Sequence, residues 1–565
     1  MAARTTTATP SATGTPSATG TPSATSTPSP GTTTGGAPAI VIDPVTRIEG
    51  HLRITAVVEG GKVTDAWNSA TMFRGFEIFM RDRDPRDAWH FGSRICGVCP
   101  NPHAWNGAKA AETAMGIAKV GDGARLVRNM MESAQIGYDH ILHFYILQAF
   151  DYVNVPDVLN AKPTVPTLKA VQDQVKAVVQ SGQLGPFAGH YWDHPGYKLP
   201  PELNLELTAH YLAAIDAQQS ATDALAYMGG KYPMIMNYAA GGVTEIPKLE
   251  EILYWRGKME VVKEFIDNVM VPDLLAIAPF YKDHATFGKG VGNYLTWGVI
   301  DAESQDPYDR LFPRGGIIGA DLSKVQQVDP DQTKIFTKYS FYEDSLGQGR
   351  HPLEESVERG DKIQYTGLPK IENGDRSAVP TGKYDWTMSA RYGEKNLPME
   401  VGPLSQMLVA YVTGRPDAVA LVNTTLKAVG AAGKPEILLS ALGRVVARTL
   451  KAKMNADHAL QWADELLALM AKGGDKAKFF TEEPVPASGS GKGGWDGPRG
   501  ALCHYMRIKD HKIDAYAAVP ASNWNLAPRD DNGVRGPVEA ALIGTPVADP
   551  NRPLEILRVV HSFDP

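Results

Sequence analysis

Cysteine is nearly missing from this sequence: 565 residues hold only three. So sparse a supply excludes a disulfide framework. Two of the three, Cys96 and Cys99, stand three positions apart, which directs attention to metal or redox chemistry. Long apolar runs are missing as well. With no stretch of about 18 apolar residues and no charged start leading into an apolar segment, neither a membrane span nor a secretory signal of the chain's own is expected. Positive charge is not in excess either: 56 Lys and Arg stand against 63 Asp and Glu, a net charge of -7. That balance offers no basic face to nucleic acid.

What remains is an ordinary globular composition, 43% hydrophobic and 21% charged, in a chain longer than one core usually supports. Either two domains or one large elaborated domain follows. Residues 1–36 stand apart, because Thr9 to Gly14, Thr15 to Gly20 and Thr21 to Ser26 repeat a unit of Thr, Pro, Ser, Ala and Gly. Such a segment buries too little apolar surface to offset chain entropy and reads as a disordered tail. The domain proper is read as 37–565.

Ile40 to Ile42, Leu52 to Val58 and Val63 to Ala70 read as strands, the last two forming a hairpin about Gly60-Gly61. Helical spacing of apolar residues then dominates: Ala104 to Met115, Ala124 to Phe150, Pro201 to Met228, Lys248 to Val269, Pro403 to Val412 and Pro435 to Met470. Between about 285 and 400, short extended segments alternate with Gly, Pro and Asp, which suggests a mixed region against the helices. The end of the chain, Leu554 to Val560, reads as an apolar strand. The fold class expected is therefore α+β, mainly α: a large helical bundle core, a small N-terminal sheet and mixed peripheral segments.

The strongest local signal is Arg94-Ile-Cys96-Gly-Val-Cys99-Pro-Asn-Pro-His103. Two thiolates separated by two residues can converge on one soft metal ion, and the positive end of a helix starting just after them would lower their pKa. The same spacing serves zinc sites and redox dithiols. A structural zinc would draw its further ligands from Cys503 with His103 or His504.

Other stretches bear on the choice: Asp43-Pro-Val-Thr-Arg47-Ile-Glu49-Gly50-His51, Phe73-Arg74-Gly75-Phe76-Glu77, Asp84-Pro-Arg-Asp87, His140 to Tyr145, Pro398-Met-Glu-Val-Gly-Pro403, Gly497-Pro498-Arg499-Gly500, Gly544-Thr-Pro-Val547, Asp549-Pro550 and His561-Ser-Phe-Asp564-Pro565. In this order, and over nearly everything after the tail, they resemble the large subunits of nickel-iron hydrogenases. The resemblance implies reversible oxidation of dihydrogen to protons and electrons, in the uptake direction, at a thiolate-bound nickel-iron centre whose iron carries CO and CN ligands.

Residue by residue, the resemblance makes Cys96 a terminal nickel thiolate and Cys99 a thiolate bridging nickel and iron. Glu49 becomes the first proton relay, against the competing reading of an ion pair with Arg47 or His51. Glu77 becomes a magnesium ligand, against a surface salt bridge. Arg499, Asp139 and Asp564 become a charged canopy over the metals, with Pro498 fixing the loop. His103 either bonds a cysteine sulfur or is a satisfied core histidine, and Cys503 is a buried packing residue.

Partners follow from the same source: a small subunit carrying the iron-sulfur clusters, since this chain has too few cysteines for one, and through it a membrane cytochrome and a membrane location. The family continues past Asp-Pro with a second Cys-x-x-Cys and a terminal His, whereas this sequence stops at Pro565. In selenium-containing relatives the next residue is selenocysteine, encoded by a codon ordinarily read as stop, and an ending of that origin is the expectation. A sequencing or annotation error, or a metal-free or zinc-stabilised scaffold that docks an electron-transfer partner, are the alternatives.

Overall fold

Gly60 and Gly61 both have positive φ, 57° and 74°, the conformation that a two-residue hairpin turn demands and that glycine takes without strain. About this turn Leu52–Glu59 pairs antiparallel with Lys62–Ala70, and Ala39–Ile42 adds to the other edge of Leu52–Glu59. The computed structural model describes residues 39–183, 191–343, 349–354, 363–368, 379–473 and 478–565. The tail expected at 1–36 lies outside the described residues, as do parts of the mixed region.

The helices form where the apolar spacing places them. Asp122–Ile141 packs on Ala441–Ala471 and on Pro201–Gly229, and Leu249–Phe265 closes the ring against the last two. These four surround one large apolar core that includes Met130, Trp255, Met259 and Leu450. Two of the expected helices change winding before they end. The run after Ile141 continues as a π-helix, Leu142–Gln148, and the run after Phe265 does the same over Ile266–Met270.

One expectation is overturned. Leu554 to Val560 is not a strand but part of an α-helix, Leu554–Ser562, packed under the N-terminal sheet beside Pro537–Leu542. All nine of its residues are buried. Glu555 and Arg558, which would have marked a solvent face, are enclosed too, and Arg558 gives its donors to the carbonyls of Asp151 and Gly196. The strand reading rests on its β-branched Ile556, Val559 and Val560, which suit a strand, although Glu555, Arg558 and Ser562 fall at helical spacing.

The mixed region supplies short strands. Tyr294–Thr296 lies between Gly315–Ile317 and Glu400–Val401, and Thr333–Phe336 pairs with Ser389–Tyr392. A sheet unread in the sequence follows: Gly500–Lys509 is flanked by Lys512–Val519 on one side and by Ser488–Lys492 and Trp495–Gly497 on the other. It brings the Gly497 to Gly500 turn over the start of the Pro100–Ala114 helix.

Candidate metal centre

The cysteine segment is built by an abrupt change of backbone. A single 3-10 turn, Ser93–Ile95, ends at Cys96, which is extended at φ -133° and ψ 133°. Cys99 then stands as N-cap of the Pro100–Ala114 helix, with Pro100 in its first turn, where a missing N–H costs nothing. The Cys99 N–H donates to Cys96 Sγ at 3.0 Å. Both cysteines are buried and line a cavity of about 130 Å³ together with Glu49, His103, Pro498, Arg499 and Pro565.

Arg499 reaches this cavity because the strands on either side of it pair, Gly497 opposite Gly500, leaving Pro498 and Arg499 at the tip of the turn. Gly500 has φ +125°, and a Cβ there would sit 2.4 Å from the Gly402 nitrogen. Glycine is therefore required for the Pro398 to Pro403 and Gly497 to Gly500 segments to touch.

The guanidinium is held from two sides. Arg499 Nη1 donates to Asp139 Oδ1 at 3.4 Å, and Nε lies 3.2 Å from Asp564 Oδ1. Asp564 Oδ2 takes a second cation, Arg448 Nη1, at 3.0 Å, and Asp139 accepts from Gln135 Nε2. Arg499 Nη2 is buried without a partner among the described residues. Asp564 adopts φ 58°, a left-handed turn that Asp tolerates, as the chain leaves the helix.

Electrostatics follow the packing. The hydrogen bond its S–H donates to the Cys96 sulfur, burial, and the charge of that same sulfur raise the Cys99 thiol well above its ordinary value. The expected lowering by the helix end is therefore overridden by enclosure beside a second thiol. A divalent cation would reverse that penalty, since a coordinating thiol is deprotonated outright. Burial pushes Asp139 up to about 7 against the pull of Arg499. Burial also pushes Asp564 upward, but Arg499, His143 and Arg448 together bring it below the usual carboxylate range. Burial raises Glu49 as well, opposed by Arg499 and aided by Asp564. The paired sulfurs, the orphaned guanidinium nitrogen and the cavity of about 130 Å³ that they line fit a thiolate-bound metal.

The other sequence-derived residues fall as follows. Glu49 is exposed at the cavity mouth, and Arg47 does not pair with it, because Arg47 Nη2 bonds Asp151 Oδ1 at 2.6 Å. His103 lines the cavity, yet its Nδ1 is 3.0 Å from His504 Nε2, and burial lowers its pKa to about 3, so it is neutral. Glu77, half-buried in the first turn of Phe76–Phe79, belongs to a neighbouring cavity of about 340 Å³ that shares Glu49, Ile95 and Pro520 with the cysteine cavity.

The zinc ligand set does not assemble. Cys503 sits in an apolar cluster with Tyr505 and Trp524, and His504 spends its ring nitrogens on His103 and on Tyr516 Oη at 2.6 Å. Among the described residues no three His, Cys, Asp or Glu side chains gather as a metal site. Sequence reasoning missed Arg448, His143 and the Asp151 link. Asp151 Oδ2 lies 2.6 Å from His561 Nδ1, joining the C-terminal helix to Arg47. Arg444 and Arg448, four apart among the Ala, Val and Leu residues that open the Ala441–Ala471 helix, were the signal available for the first.

Comparison with known proteins agrees with this arrangement. The family model "Nickel-dependent hydrogenase" matches residues 74–565, and one described as HoxL-like matches residues 39–71. The Hydrogenase-2 large chain of Escherichia coli K12 is 39% identical, covering 93% of this chain and 95% of its own. The uptake hydrogenase large subunit of Rhizobium leguminosarum bv. viciae is 37% identical, covering 94% and 95%. Among solved structures, the nickel-iron-selenium hydrogenase of D. vulgaris Hildenborough superposes with a TM-score of 0.76 at 33% identity, over 93% of this chain and 98% of that one. With the paired thiols, the guanidinium and its two carboxylates gathered in one pocket, and with matches spanning nearly the whole fold, the chain belongs to the large subunits of the nickel-dependent hydrogenase family.

Proposed function

We propose that this chain oxidises dihydrogen to protons and electrons, reversibly, at the cavity between Cys96, Cys99 and Arg499. The observation that carries the reading is the enclosure of two thiols beneath a guanidinium that Asp139 and Asp564 hold in place. Cys96 and Cys99 would supply half of the thiolates for nickel and an iron that carries CO and CN ligands, the family's second Cys-x-x-Cys supplying the other half, and this pair of metals, when bound, supplies the electrophile on which dihydrogen splits heterolytically.

The chain's own residues account for the proton side. Arg499 presents its free Nη2 beside the sulfurs, a fixed positive group in a low-dielectric pocket where charge separates as the H–H bond breaks. Asp139 and Asp564 keep it from swinging away. Glu49 is placed to receive a proton from the pocket and hand it to solvent, because it lines the cysteine cavity, borders the next one and is itself exposed. Glu77 would hold magnesium at the adjoining cavity, a hard oxygen ligand for a hard ion.

Electrons need a carrier that this chain lacks. With two of its three cysteines in the pocket and the third in an apolar core, no four-thiolate cluster can form from them. A small subunit carrying iron-sulfur clusters takes the electrons and, through a membrane cytochrome, ties the complex to a membrane. No helix among the described residues is long and apolar enough to cross one.

The test is elemental analysis of the chain purified with its small subunit, together with hydrogen-dependent reduction of a redox dye. Nickel and iron with dye reduction is the expected result. Zinc alone, or no metal and no dye reduction, overturns the reading.

A further inference from the structure

The Asp122–Ile141 helix carries a buried polar row of which the pocket uses only one end. Asp139 faces Arg499, and Gln135 and Glu132 follow at spacings of four and three residues, on the same helix face. Gln135 Nε2 donates to Asp139 Oδ2 and to the Val98 carbonyl, the latter at 2.8 Å. Glu132 Oε2 accepts from Asn101 Nδ2 at 2.5 Å, and Asn101 in turn accepts from Tyr238 Oη at 3.1 Å.

Opposite stands Lys451 of the Ala441–Ala471 helix. Glu132 and Lys451 are both 0% exposed. Among the described residues Gln135 Oε1 and Lys451 Nζ have no hydrogen-bond partner, and Glu132 Oε1 makes no well-formed one, the Trp495 indole N–H being the nearby donor. Groups of this kind are not left dry in an interior. They face ordered water, or they adjust their protonation.

We propose that Glu132 and Lys451, joined by internal water, hold an exchangeable proton, and that the row through Gln135 to Asp139 couples it to the pocket wall as a second acceptor beside Glu49. The inference rests on the hydrogenase reading above. The proton leaves the pocket wall, passes along water to Glu132 Oε1 and forms a neutral carboxylic acid there. It later returns along the same water, and no electron moves. The amide of Gln135 orients the chain and transfers nothing.

Neither side chain touches substrate, so both are positioning residues acting through Asp139. Burial pushes the Glu132 carboxyl up to about 8, with Lys451 pulling it down and Asp139 pushing it up. Burial lowers the Lys451 ammonium to about 8, against Asp496 and Glu132 and with Arg448. Titration of the pair therefore falls between neutral and mildly alkaline pH.

The test is pH-dependent infrared difference spectroscopy on the two-subunit complex, with the pH profile of hydrogen oxidation measured alongside nickel content. Buried Asp139 and Glu539, both raised to about 7, contribute bands of their own, so one component of the protonated-carboxyl signal that disappears as pH rises in the wild-type complex is expected to be missing from Glu132→Gln and to shift its midpoint upward in Lys451→Met, where the stabilising cation is gone. The alkaline limb of the activity profile should move in both variants at unchanged nickel content. Should a single variant fail to fold, the double variant Glu132→Leu with Lys451→Met leaves no unpaired charge and must lose that component. A protonated-carboxyl difference spectrum that is the same in Glu132→Gln or the double variant as in the wild type, or a profile that none of these variants moves, overturns the proposal. A wild-type complex that contains nickel and iron yet oxidises no hydrogen would instead overturn the function reading, while the carboxyl band still reports on the pair.

Discussion

Replacing Asp151 by Asn is expected to release the C-terminal helix from the pocket it seals. Asp151 is completely buried and holds Arg47 Nη2 at 2.6 Å through one oxygen and His561 Nδ1 at 2.6 Å through the other. His561 also reaches the Thr46 carbonyl at 2.9 Å, and the Glu49 N–H donates to the Pro565 carbonyl at 3.0 Å. One carboxylate thus ties together the segment bearing Glu49, the 3-10 turn Ala149–Asp151 that follows the π-helix, and the Leu554–Ser562 helix that leads to Pro565.

Removing one partner of a buried charge pair costs about 3–5 kcal/mol, because the other charge stays enclosed without compensation. That corresponds to a rise of about 10²–10⁴-fold in the population of the undocked helix. Hydrogen exchange read by mass spectrometry over Leu554–Ser562 should quicken accordingly, while exchange in the Pro201–Gly229 helix stays as in the wild type. Burial alone would raise the Asp151 carboxyl, but Arg47 and His561 hold it far below the usual carboxylate range. Its contribution is therefore complete above the unfolded value of about 3.9 and is lost as pH falls below it. Unchanged protection of Leu554–Ser562 in Asp151→Asn would refute the reasoning.

Three further substitutions separate the roles around the cavity. Arg499→Lys keeps the charge but loses the planar fork that meets two carboxylates, and turnover should drop about 10²–10³-fold, or about 2.7–4 kcal/mol, with nickel content unchanged. Glu49→Gln should slow hydrogen oxidation about 10²–10⁴-fold, again without loss of metal, since Glu49 stands at the mouth and not beside the sulfurs. Cys503→Ala should retain nickel and full activity while lowering stability by about 1 kcal/mol, measured by denaturant unfolding. Burial in an apolar cluster raises that thiol to about 12, and among the described residues no metal-binding group of side chains gathers around it.

The helical core was legible because its four helices each carry a long apolar stripe, and the N-terminal hairpin because Gly60-Gly61 separates two alternating runs. The Leu554–Ser562 helix was not, since its short run is rich in the β-branched Ile556, Val559 and Val560, which suit a strand. The sheet around Gly500–Lys509 escaped for a different reason. Its central strand is nearly all buried and carries His504, Tyr505 and Arg507 among its apolar residues, so it shows no alternation, and the Ser488–Lys492 strand is made of Ser, Gly and Lys.

At the centre, Cys96, Cys99, Arg499, Asp139 and Asp564 were readable from motifs and do converge. Arg448 and the link from Asp151 to His561 were not, because nothing in a sequence announces that residues 116 and 410 positions apart will share a bond. His103 was assigned to a sulfur or to the core, and its contact with His504 depends on a strand pairing that no local pattern predicts.

Nickel stoichiometry decides the central claim most directly. In the complex with its small subunit, the wild-type chain should carry one equivalent of nickel, and Cys96→Ser and Cys99→Ser should each bring that to near zero while leaving the helix content by circular dichroism intact. Full nickel retention in both variants would contradict the account, because the metal would then be held somewhere other than the pair of sulfurs beneath Arg499.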